Sequence, residues 1–599
     1  MGVPGFFAWI LKRHRNNNII IPKMDKKCDI LYLDANCLFH PQCFKVLDKN
    51  IDWKNQIDLE GKMINRILNY IQFLVKEVKP KKGLYIAVDG VAPMAKMNQQ
   101  RKRRYRSIND TIIKNNIKKK HGIKTGKFWS NSVITPGTEF MERLHQKLLT
   151  YSKYMKDEYK IRVTYSSYHT PGEGEHKILQ DIKIREREKE REKSSDVYVI
   201  YGLDADLIFL ALASNKRNIY LLREIVEFGA HKKITKDSVE ESMNYVNIDI
   251  FREYLNKIFL DMIDSKGYYA DKGVDFTNDF IFISYLMGND FIPHLPSVDI
   301  KTGGLDFIIR CYIDTYILLG VPLINIIKSE SVFGTRSTKP LQKVAKLSPT
   351  MPIKVNNIFF EMMLTTIAKA EDYYFETILP KHKDKLSRYR CRSSDPYDQE
   401  MWELEHLRCF DINDPIKLGE DSSSLWKWRY YEHYCGVSEY SQHTIDNMCQ
   451  EYLKGILWTT YYYFEKCPTW KWQYIYLHAP FISDIAAYYS KNKIDINSIQ
   501  FAKTKSLAPC EQLLAVIPPG CAYMLPKKYQ QLIVSDTSQL IDMYPSTINL
   551  DMINKDMYWK CIPDIPHIDV NRLLNAIKQF ALTKKEKIRN TILDNIVYD

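Results

Sequence analysis

Apolar residues in the first third of the chain alternate between two kinds of segment. ILYLDANCLF (Ile30–Phe39), GLYIAVDG (Gly83–Gly90) and VYVIYGLD (Val197–Asp204) are continuous apolar runs rich in β-branched and aromatic residues. Between the first two, residues 59–78 carry apolar side chains at helical spacing, namely Ile64, Ile67, Leu68, Ile71, Leu74 and Val75. Continuous apolar strands separated by helices predict an α/β fold with a mainly parallel sheet flanked by helices.

The rest of the chain differs in composition, and the differences predict three regions: residues 1–328, 329–424 and 425–599. Ser329–Thr350 is rich in Ser, Thr, Lys and Pro, which is typical of a linker, and Lys381–Glu400 is similarly polar. The third region is richer in Trp and Tyr, and we expect it to be mostly helical and packed on the first. The charge-alternating run Lys183–Ser195 favours a solvated helix end or loop.

Acidic residues follow the predicted strands. Asp34, Asp89 and Asp204 end the three runs, and the carboxyl ends of parallel strands form the ligand site in such folds. Asp204 and Asp206 stand in an apolar run, where an uncompensated charge is costly, so we expect a metal ion or a basic partner to neutralise both. The segments PGEGEHK and GNDFIPHLP complete a set of seven candidates: Asp34, Asp89, Glu173, Glu175, Asp204, Asp206 and Asp290.

Seven carboxylates gathered at one edge are suited to divalent metal ions. Mg²⁺ and Mn²⁺ prefer such hard oxygen ligands, and two ions about 4 Å apart can promote cleavage of a phosphodiester. Two alternatives stay open. An Asp after a strand is often a helix N-cap or turn residue, and buried acids can pair with Lys or Arg.

A basic helix is predicted directly after Asp89. Pro93 fits a helix start, and the residues that follow, AKMNQQRKRRYR, are good helix formers. Lys96, Gln100, Arg103 and Arg104 recur at helical spacing and share one face. Lysine and arginine donors in this arrangement can hold a terminal phosphate. The alternative is a solvated basic helix or a localisation-like cluster.

Overall composition narrows the class of protein. The 599 residues carry a formal net charge of +14, which favours a polyanionic partner such as nucleic acid. No apolar run reaches the roughly 18–20 residues of a membrane-spanning helix, so we expect no membrane association. The 12 cysteines include no CxxC pair, and HExxH is absent. We therefore expect no thiolate zinc site, and we expect the cysteines to be reduced thiols.

Taken together, these segments resemble the eukaryotic 5′→3′ exoribonucleases, the cytoplasmic mRNA-decay enzyme and its nuclear relative. In the first region the resemblance rests on MGVPGFF, LDANCLFH, AVDGVAPMAKMNQQRKRRYR, ITPGTEFM, PGEGEHKI, YGLDADLIFL, LLRE and GNDFIPHLP. In the last it rests on WKWRYYEHYC, YLKGILWTTYYYFEKCPTWKWQYIYLHAPFISD, PCEQLLAVIPP and DMYPSTINLD. It covers most of the chain and is weakest over residues 329–424.

The resemblance implies a PIN/flap-nuclease-like core, with residues 425–599 completing the active-site pocket. It implies two Mg²⁺ ions, replaceable by Mn²⁺, on the seven acids, and a 5′-monophosphate pocket of Lys96, Gln100, Arg103 and Arg104. His40 and Trp470 would stack on the leading bases, with Trp472 as an alternative to Trp470. Two departures are Met94, where the family has a basic residue, and the expected lack of the cytoplasmic enzyme's long C-terminal extension.

The function expected from the resemblance is stepwise hydrolysis of single-stranded RNA from a 5′-monophosphate end to nucleoside 5′-monophosphates. We expect a monomer in the cytoplasm, with the decapping machinery as a possible partner. Two other functions stay open. One is a structure-specific 5′ DNA or flap nuclease, which shares the acidic core, and the other is an inactive RNA-binding protein on a nuclease scaffold.

Overall fold

The computed structural model describes residues 6, 9, 18–189, 195–204, 206–225, 241–270, 273–326, 353–436 and 441–599, without the side chains of 187–189. A mixed sheet of mostly parallel strands lies at its centre, with helices on both faces and a mostly helical second region packed around it. The predicted fold class is therefore confirmed.

The central sheet has eight strands in the order β1-β7-β6-β5-β2-β3-β4-β12. The five strands β4-β3-β2-β5-β6 are parallel, whereas β1, β7 and β12 pair antiparallel at the two edges. The chain order reverses between β2 and β5, which makes this the switch point where α/β sheets bind ligands. The strands of this sheet are β1 Ile20–Ile21, β2 Ile30–Asp34, β3 Gly83–Ala87, β4 Arg162–Ser166, β5 Tyr198–Tyr201, β6 Ile219–Glu224, β7 Met243–Asn247 and β12 Ile596–Tyr598.

Two further pairs of short strands lie outside this sheet: β8 Ile324–Ile326 with β9 Ile353–Val355, and β10 Asn549–Asp551 with β11 Ile562–Asp564.

The helices of the first half are α1 Ala35–Lys49, α2 Gln56–Val78, α3 Met94–Lys120, α4 Glu139–Tyr159, α5 Gly174–Lys189, α6 Asp206–Ala213, α7 Ile248–Asp264, α8 Thr277–Ser284 and α9 Gly304–Leu319. Those of the second half are α10 Asn357–Ala368, α11 Glu371–Tyr373, α12 Leu379–Ser387, α13 Pro396–Glu405, α14 Ser423–Cys435, α15 Gln442–Phe464, α16 Ile482–Lys491, α17 Pro509–Val516, α18 Lys527–Val534, α19 Val570–Ile577 and α20 Lys584–Arg589.

The two large apolar clusters of the described residues lie on opposite faces of the sheet, and both halves of the chain contribute to each. On one face, α5 to α9 pack with α10, α15 and α16. On the other face, α1, α2 and α4 pack with α17, α18 and α19. All side chains of β2 and β3 are buried, as expected for central strands covered on both sides. The second half therefore encloses the sheet from both faces.

Several element predictions can be compared with this fold. The predicted helix at 59–78 runs from Gln56 to Val78, and α3 begins directly after Pro93 as expected. The polar composition of residues 381–400 is typical of a linker, but these residues form most of α12 and the start of α13. Residues 329–350 and 190–194 lie outside the described residues, and the three region boundaries stay a prediction.

Within the described ranges, no helix is long and apolar enough to cross a membrane. All twelve cysteines are free thiols.

Candidate active site

Three of the seven predicted acids lie just beyond the carboxyl ends of neighbouring strands. Asp34 is the last residue of β2, Asp89 follows β3, and Asp204 follows β5. Asp206 is the first residue of α6. Because β2 and β5 flank the switch point, the fold places these acids where a parallel sheet accepts a ligand.

Glycine brings a further segment against these strand ends. A Cβ at Gly174 would lie 2.7 Å from Oδ1 of Asp34 and 3.4 Å from Oδ1 of Asp89, so a larger residue would push the carboxylates apart. The backbone N–H of Gly174 instead donates to Oδ1 of Asp89 at 2.7 Å. Glu173 and Glu175 flank this glycine and are thereby brought to the same edge.

The N-cap alternative does not account for Asp34. It occupies the N-cap position of α1, but its side chain makes no capping hydrogen bond. Its Oδ2 accepts a hydrogen bond from the thiol of Cys37 at 2.9 Å. Asp34 is 6% exposed, so it is a buried carboxylate directed into the site.

Burial and neighbouring acids raise the pKa of Asp34 and of Asp206. Burial, and then the charge of Asp89, raises the pKa of Asp34 well above its ordinary value. Burial, and then Asp290, raises the pKa of Asp206 to about 7. Each of the seven lies within electrostatic reach of at least one other. The described fold therefore gathers all seven predicted acids into one acidic cluster, made of Asp34, Asp89, Glu173, Glu175, Asp204, Asp206 and Asp290.

Lys96 lies against one side of the acidic cluster. Its ammonium is 2.5 Å from Oε1 of Glu173 and 2.7 Å from Oδ2 of Asp290. Burial disfavours the charged lysine, but Asp290, Glu173 and Glu175 outweigh burial, and the pKa of Lys96 is raised well above its ordinary value. The ion-pair alternative thus holds for two of the seven acids.

The other five acids make no ion pair with a described Lys or Arg. Oδ1 of Asp206 is buried and has no hydrogen-bond partner among the described residues, and a buried polar atom without a partner is costly. Among the described residues, no three His, Cys, Asp or Glu side chains are arranged to hold a metal ion as placed. The donor chemistry, carboxylate oxygens alone, nevertheless fits Mg²⁺ or Mn²⁺.

One expectation about burial is wrong. Asp206 is buried, but Asp204 is exposed, although both stand in the same apolar run. The reason is that β5 ends at Tyr201 and the chain leaves the core before α6 begins. Solvent therefore reaches one side of the acidic cluster at Asp204.

The basic face of α3 continues from Lys96 along the helix. Arg104 donates from Nη2 to Oγ1 of Thr135 at 2.7 Å, and burial, then the charge of Arg103, lowers its pKa to about 9. Arg103 is exposed. Gln100 accepts from Nε2 of Gln512 at 3.4 Å. The four side chains Lys96, Gln100, Arg103 and Arg104 are called the basic grip below.

His40 lies beside the basic grip. Burial, then Arg103 and Arg104, lowers the pKa of His40 to about 4, so its ring is neutral at physiological pH and able to stack on a base.

The two tryptophans of CPTWKW lie in different environments. Trp472 is 8% exposed, donates from Nε1 to Glu451 and packs on Trp458 with ring centroids 5.4 Å apart. Trp470 is only partly buried, and its carbonyl accepts from the backbone N–H of Met94 at the start of α3. The base-stacking prediction therefore stays with Trp470, and Trp472 is a core residue.

Three residues that touch the site were not singled out from the sequence. Gln512 accepts from the N–H of Ala92 at 2.7 Å besides contacting Gln100. Thr135 holds Arg104, and Tyr462 donates to Glu173. Gln512 and Thr135 stand in PCEQLLAVIPP and ITPGTEFM, two segments that carry the resemblance, but nothing in one sequence pairs them with α3.

Comparison with known proteins matches both halves of the chain. Residues 1–225 match the family model described as XRN 5′-3′ exonuclease N-terminus, and residues 270–598 match the Xrn1 helical domain. The chain is 32% identical to human 5′-3′ exoribonuclease 1 over 612 residues, which covers 98% of the chain and 35% of the relative.

Two further relatives are similar over nearly the whole chain. The 5′-3′ exoribonuclease 1 of Schizosaccharomyces pombe is 31% identical, covering 99% of the chain and 50% of the relative. The 5′-3′ exoribonuclease 2 of Candida albicans is 27% identical, covering 99% of the chain and 74% of the relative. The chain thus spans 35%, 50% and 74% of the lengths of these three relatives.

Proposed function

The chain belongs to the XRN 5′-3′ exonuclease family, and from this premise we propose that it is a metal-dependent 5′→3′ exoribonuclease acting in RNA decay. Its substrate would be single-stranded RNA with a 5′-monophosphate, and its products nucleoside 5′-monophosphates. One observation carries the proposal: Lys96, the first residue of the basic grip, is in direct contact with Glu173 and Asp290 of the acidic cluster. A held 5′-phosphate would therefore place the next phosphodiester beside the acids.

The acidic cluster would hold two Mg²⁺ ions, which Mn²⁺ could replace. When bound, the ions neutralise phosphate charge and activate water at the phosphodiester. Asp206 supports this assignment, because its Oδ1 is buried without a partner and its pKa is raised to about 7 by burial and then Asp290. The carboxylates would hold the ions, and the exposed Asp204 would leave the substrate a path from solvent.

The basic grip would select the 5′ end. Arg103 and Arg104 can donate planar pairs of hydrogen bonds to phosphate oxygens, and Gln100 adds a neutral donor. The ammonium of Lys96, which reaches Glu173 and Asp290, can neutralise those acids or a terminal phosphate. A 5′-hydroxyl end lacks the charge that this face recognises, and a cap or triphosphate adds bulk.

His40 and Trp470 would hold the leading bases. Both are partly exposed aromatic side chains next to the basic grip, and stacking of a base on such a ring contributes roughly 1–3 kcal/mol without regard to sequence. Sequence-tolerant stacking suits an enzyme that removes one nucleotide after another.

The experiment that tests the proposal compares RNAs of one sequence that differ only at the 5′ end. With Mg²⁺, we expect release of nucleoside 5′-monophosphates from 5′-monophosphate RNA and little from 5′-hydroxyl or capped RNA. Asp206→Asn should abolish release and leave the melting temperature unchanged or higher, because it removes a buried negative charge whose Oδ1 has no hydrogen-bond partner among the described residues. Release independent of the 5′ end, or from wild type and Asp206→Asn alike, would contradict the proposal.

The same assay, with a DNA flap added as a further substrate, separates the other two functions. A 5′ DNA nuclease would cleave a DNA flap in preference to the RNA, and an inactive RNA-binding protein would retain the RNA uncleaved. The basic grip supports the exoribonuclease over the flap nuclease, and the complete set of seven acids supports it over the inactive RNA-binding protein. A monomeric state, a cytoplasmic location and the decapping machinery as a partner stay predictions, which sedimentation, imaging and affinity capture can test.

A further inference from the structure

Tyr462 connects the second half of the chain to the acidic cluster. It lies in α15 and is 1% exposed, and its hydroxyl donates to Oε2 of Glu173 at 2.7 Å. Lys96 holds the other oxygen, Oε1, at 2.5 Å. Both oxygens of this buried carboxylate therefore have a donor, and each donor comes from a different part of the fold.

The two donors differ in what else they do. Lys96 also contacts Asp290, and it belongs to the basic grip that we propose holds phosphate. Tyr462 is outside the basic grip, and its hydroxyl contacts Glu173. The hydroxyl of Tyr462 can thus keep the orientation of Glu173 while the ammonium of Lys96 serves a phosphate.

Packing holds the ring of Tyr462 on several sides. It stacks on His176 with ring centroids 4.2 Å apart and an interplanar angle of 9°. Trp458 stacks at 4.9 Å, and Phe291 meets the ring edge-on at 5.2 Å. Nε2 of His176 lies 3.1 Å from the carbonyl oxygen of Tyr462 and donates to it. A ring enclosed in this way can place its hydroxyl accurately.

The neighbours of Tyr462 belong to the site as well. Phe291 follows Asp290 in the chain, and His176 follows Glu175. Trp458, one turn before Tyr462 in α15, donates from Nε1 to the carbonyl of Thr469 at 3.0 Å. Thr469 precedes Trp470, so α15 contacts both the carboxylate side of the site and the segment expected to hold a base.

We propose that Tyr462 is a positioning residue for the reaction, fixing the carboxylate of Glu173 in the orientation that catalysis and metal binding need. The inference rests on the proposed function. It assigns to the second half of the chain an indirect part in the chemistry, through Glu173, in addition to packing on the sheet and carrying Trp470.

The test is Tyr462→Phe, which removes the hydroxyl and keeps the ring. The kcat on 5′-monophosphate RNA should fall about 10- to 100-fold, as is typical when a group that orients a metal ligand is lost, while KM stays within about twofold because the basic grip is intact. Excess Mg²⁺ should restore part of kcat. Mn²⁺ affinity, measured by electron paramagnetic resonance without RNA, should fall about 10-fold.

Tyr430→Phe is the matched control. Tyr430 is also buried and donates its hydroxyl to a backbone carbonyl, that of Ala479, at 2.8 Å. It should lose a comparable amount of thermal stability with kcat, KM and Mn²⁺ affinity unchanged. A purely structural role for Tyr462 would make the two variants alike.

The outcomes separate this inference from the proposed function. If Tyr462→Phe keeps wild-type kcat, Mg²⁺ dependence and Mn²⁺ affinity, the positioning role is overturned while the exoribonuclease stands. If the wild type releases no nucleotide, the proposed function fails, and Mn²⁺ affinity still decides whether Tyr462 orients Glu173. If the wild type binds no Mn²⁺, both are overturned.

Discussion

The two faces of α3 carry arginines in contrasting environments. On the back face, Arg101 is 2% exposed, and its two terminal nitrogens donate to the backbone carbonyls of Pro566 and Met543. On the front face, Arg104 donates from one terminal nitrogen to Thr135. Its other terminal nitrogen has no acceptor among the described residues, and the neighbouring Arg103 is exposed.

This contrast separates one structural arginine, Arg101, from the two arginines that we propose bind phosphate, within one run of four cations. Arg101 also stacks on Tyr105 and Tyr544, 5.1 and 5.4 Å from the ring centroids. Its guanidinium therefore binds α3 to the second half of the chain. Arg103 and Arg104 retain donors for a ligand. The sequence RKRR does not distinguish these roles, because the carbonyls that satisfy Arg101 come from residues more than 400 positions away.

The largest expected effect is a loss of stability when Arg101, on the back face of α3, is replaced. Arg101→Met removes two hydrogen bonds to backbone carbonyls and two contacts between the guanidinium and aromatic rings, which should lower the free energy of unfolding by about 2–4 kcal/mol. Chemical denaturation measures this change. The preference for 5′-monophosphate over 5′-hydroxyl RNA should persist below the melting transition, and loss of that preference in a folded variant would show that the two faces are not separate.

On the front face, the expected effect is on substrate selection. Arg104→Gln should reduce kcat/KM for 5′-monophosphate RNA about 10- to 100-fold, corresponding to roughly 1.5–3 kcal/mol for charge-assisted hydrogen bonds, with thermal stability close to wild type. The same assay on 5′-hydroxyl RNA is the control, since that substrate has no 5′-phosphate for Arg104 to bind. An equal drop on both RNAs would argue for damage to the fold.

Loss of Gln512, which supports the basic grip, should lower kcat/KM less than loss of a residue of the basic grip itself. Gln512→Ala removes the acceptor of the Ala92 N–H and the neighbour of Gln100, so we expect kcat/KM on 5′-monophosphate RNA to fall about 3- to 10-fold. This corresponds to about 1 kcal/mol for a neutral hydrogen bond. Gln530→Ala, which removes a bond to Leu525 O, is the control and should have no effect on kcat/KM. A wild-type rate for Gln512→Ala would show that Gln100 needs no support.

The smallest expected effect is a shift in the pKa of His40. Burial, then Arg103 and Arg104, lowers the pKa of His40 to about 4. As pH decreases, His40 is therefore protonated in the unfolded chain before it is protonated in the folded protein. The contribution of His40 to stability thus falls between about pH 6.5 and pH 4. Arg104→Gln should raise the pKa of His40, and Arg101→Met should not. Nuclear magnetic resonance titration of labelled histidine, with His40→Gln to assign the signal, measures both, and equal shifts would contradict the contrast.

Local patterns predicted three of the central parallel strands, β2, β3 and β5, and part of the site. Asp34, Asp89 and Asp204 could be placed together because parallel strands share an edge at their carboxyl ends, and Pro93 marked the start of α3. The exposure of Asp204 could not be foreseen, since an apolar run does not show where the chain leaves the core. The contacts of Gln512 and Tyr462 could not be foreseen either, because they join residues 289 to 420 positions apart.

The central claim is that the acidic cluster holds divalent ions beside the basic grip, and anomalous diffraction from crystals grown with Mn²⁺ tests it most directly. We expect anomalous peaks among the carboxylates of Asp34, Asp89, Asp204 and Asp206, about 2.0–2.4 Å from their oxygens, and fewer peaks in Asp206→Asn. The claim is contradicted if saturating Mn²⁺ gives no peak there and the carboxylates are instead paired with Lys or Arg.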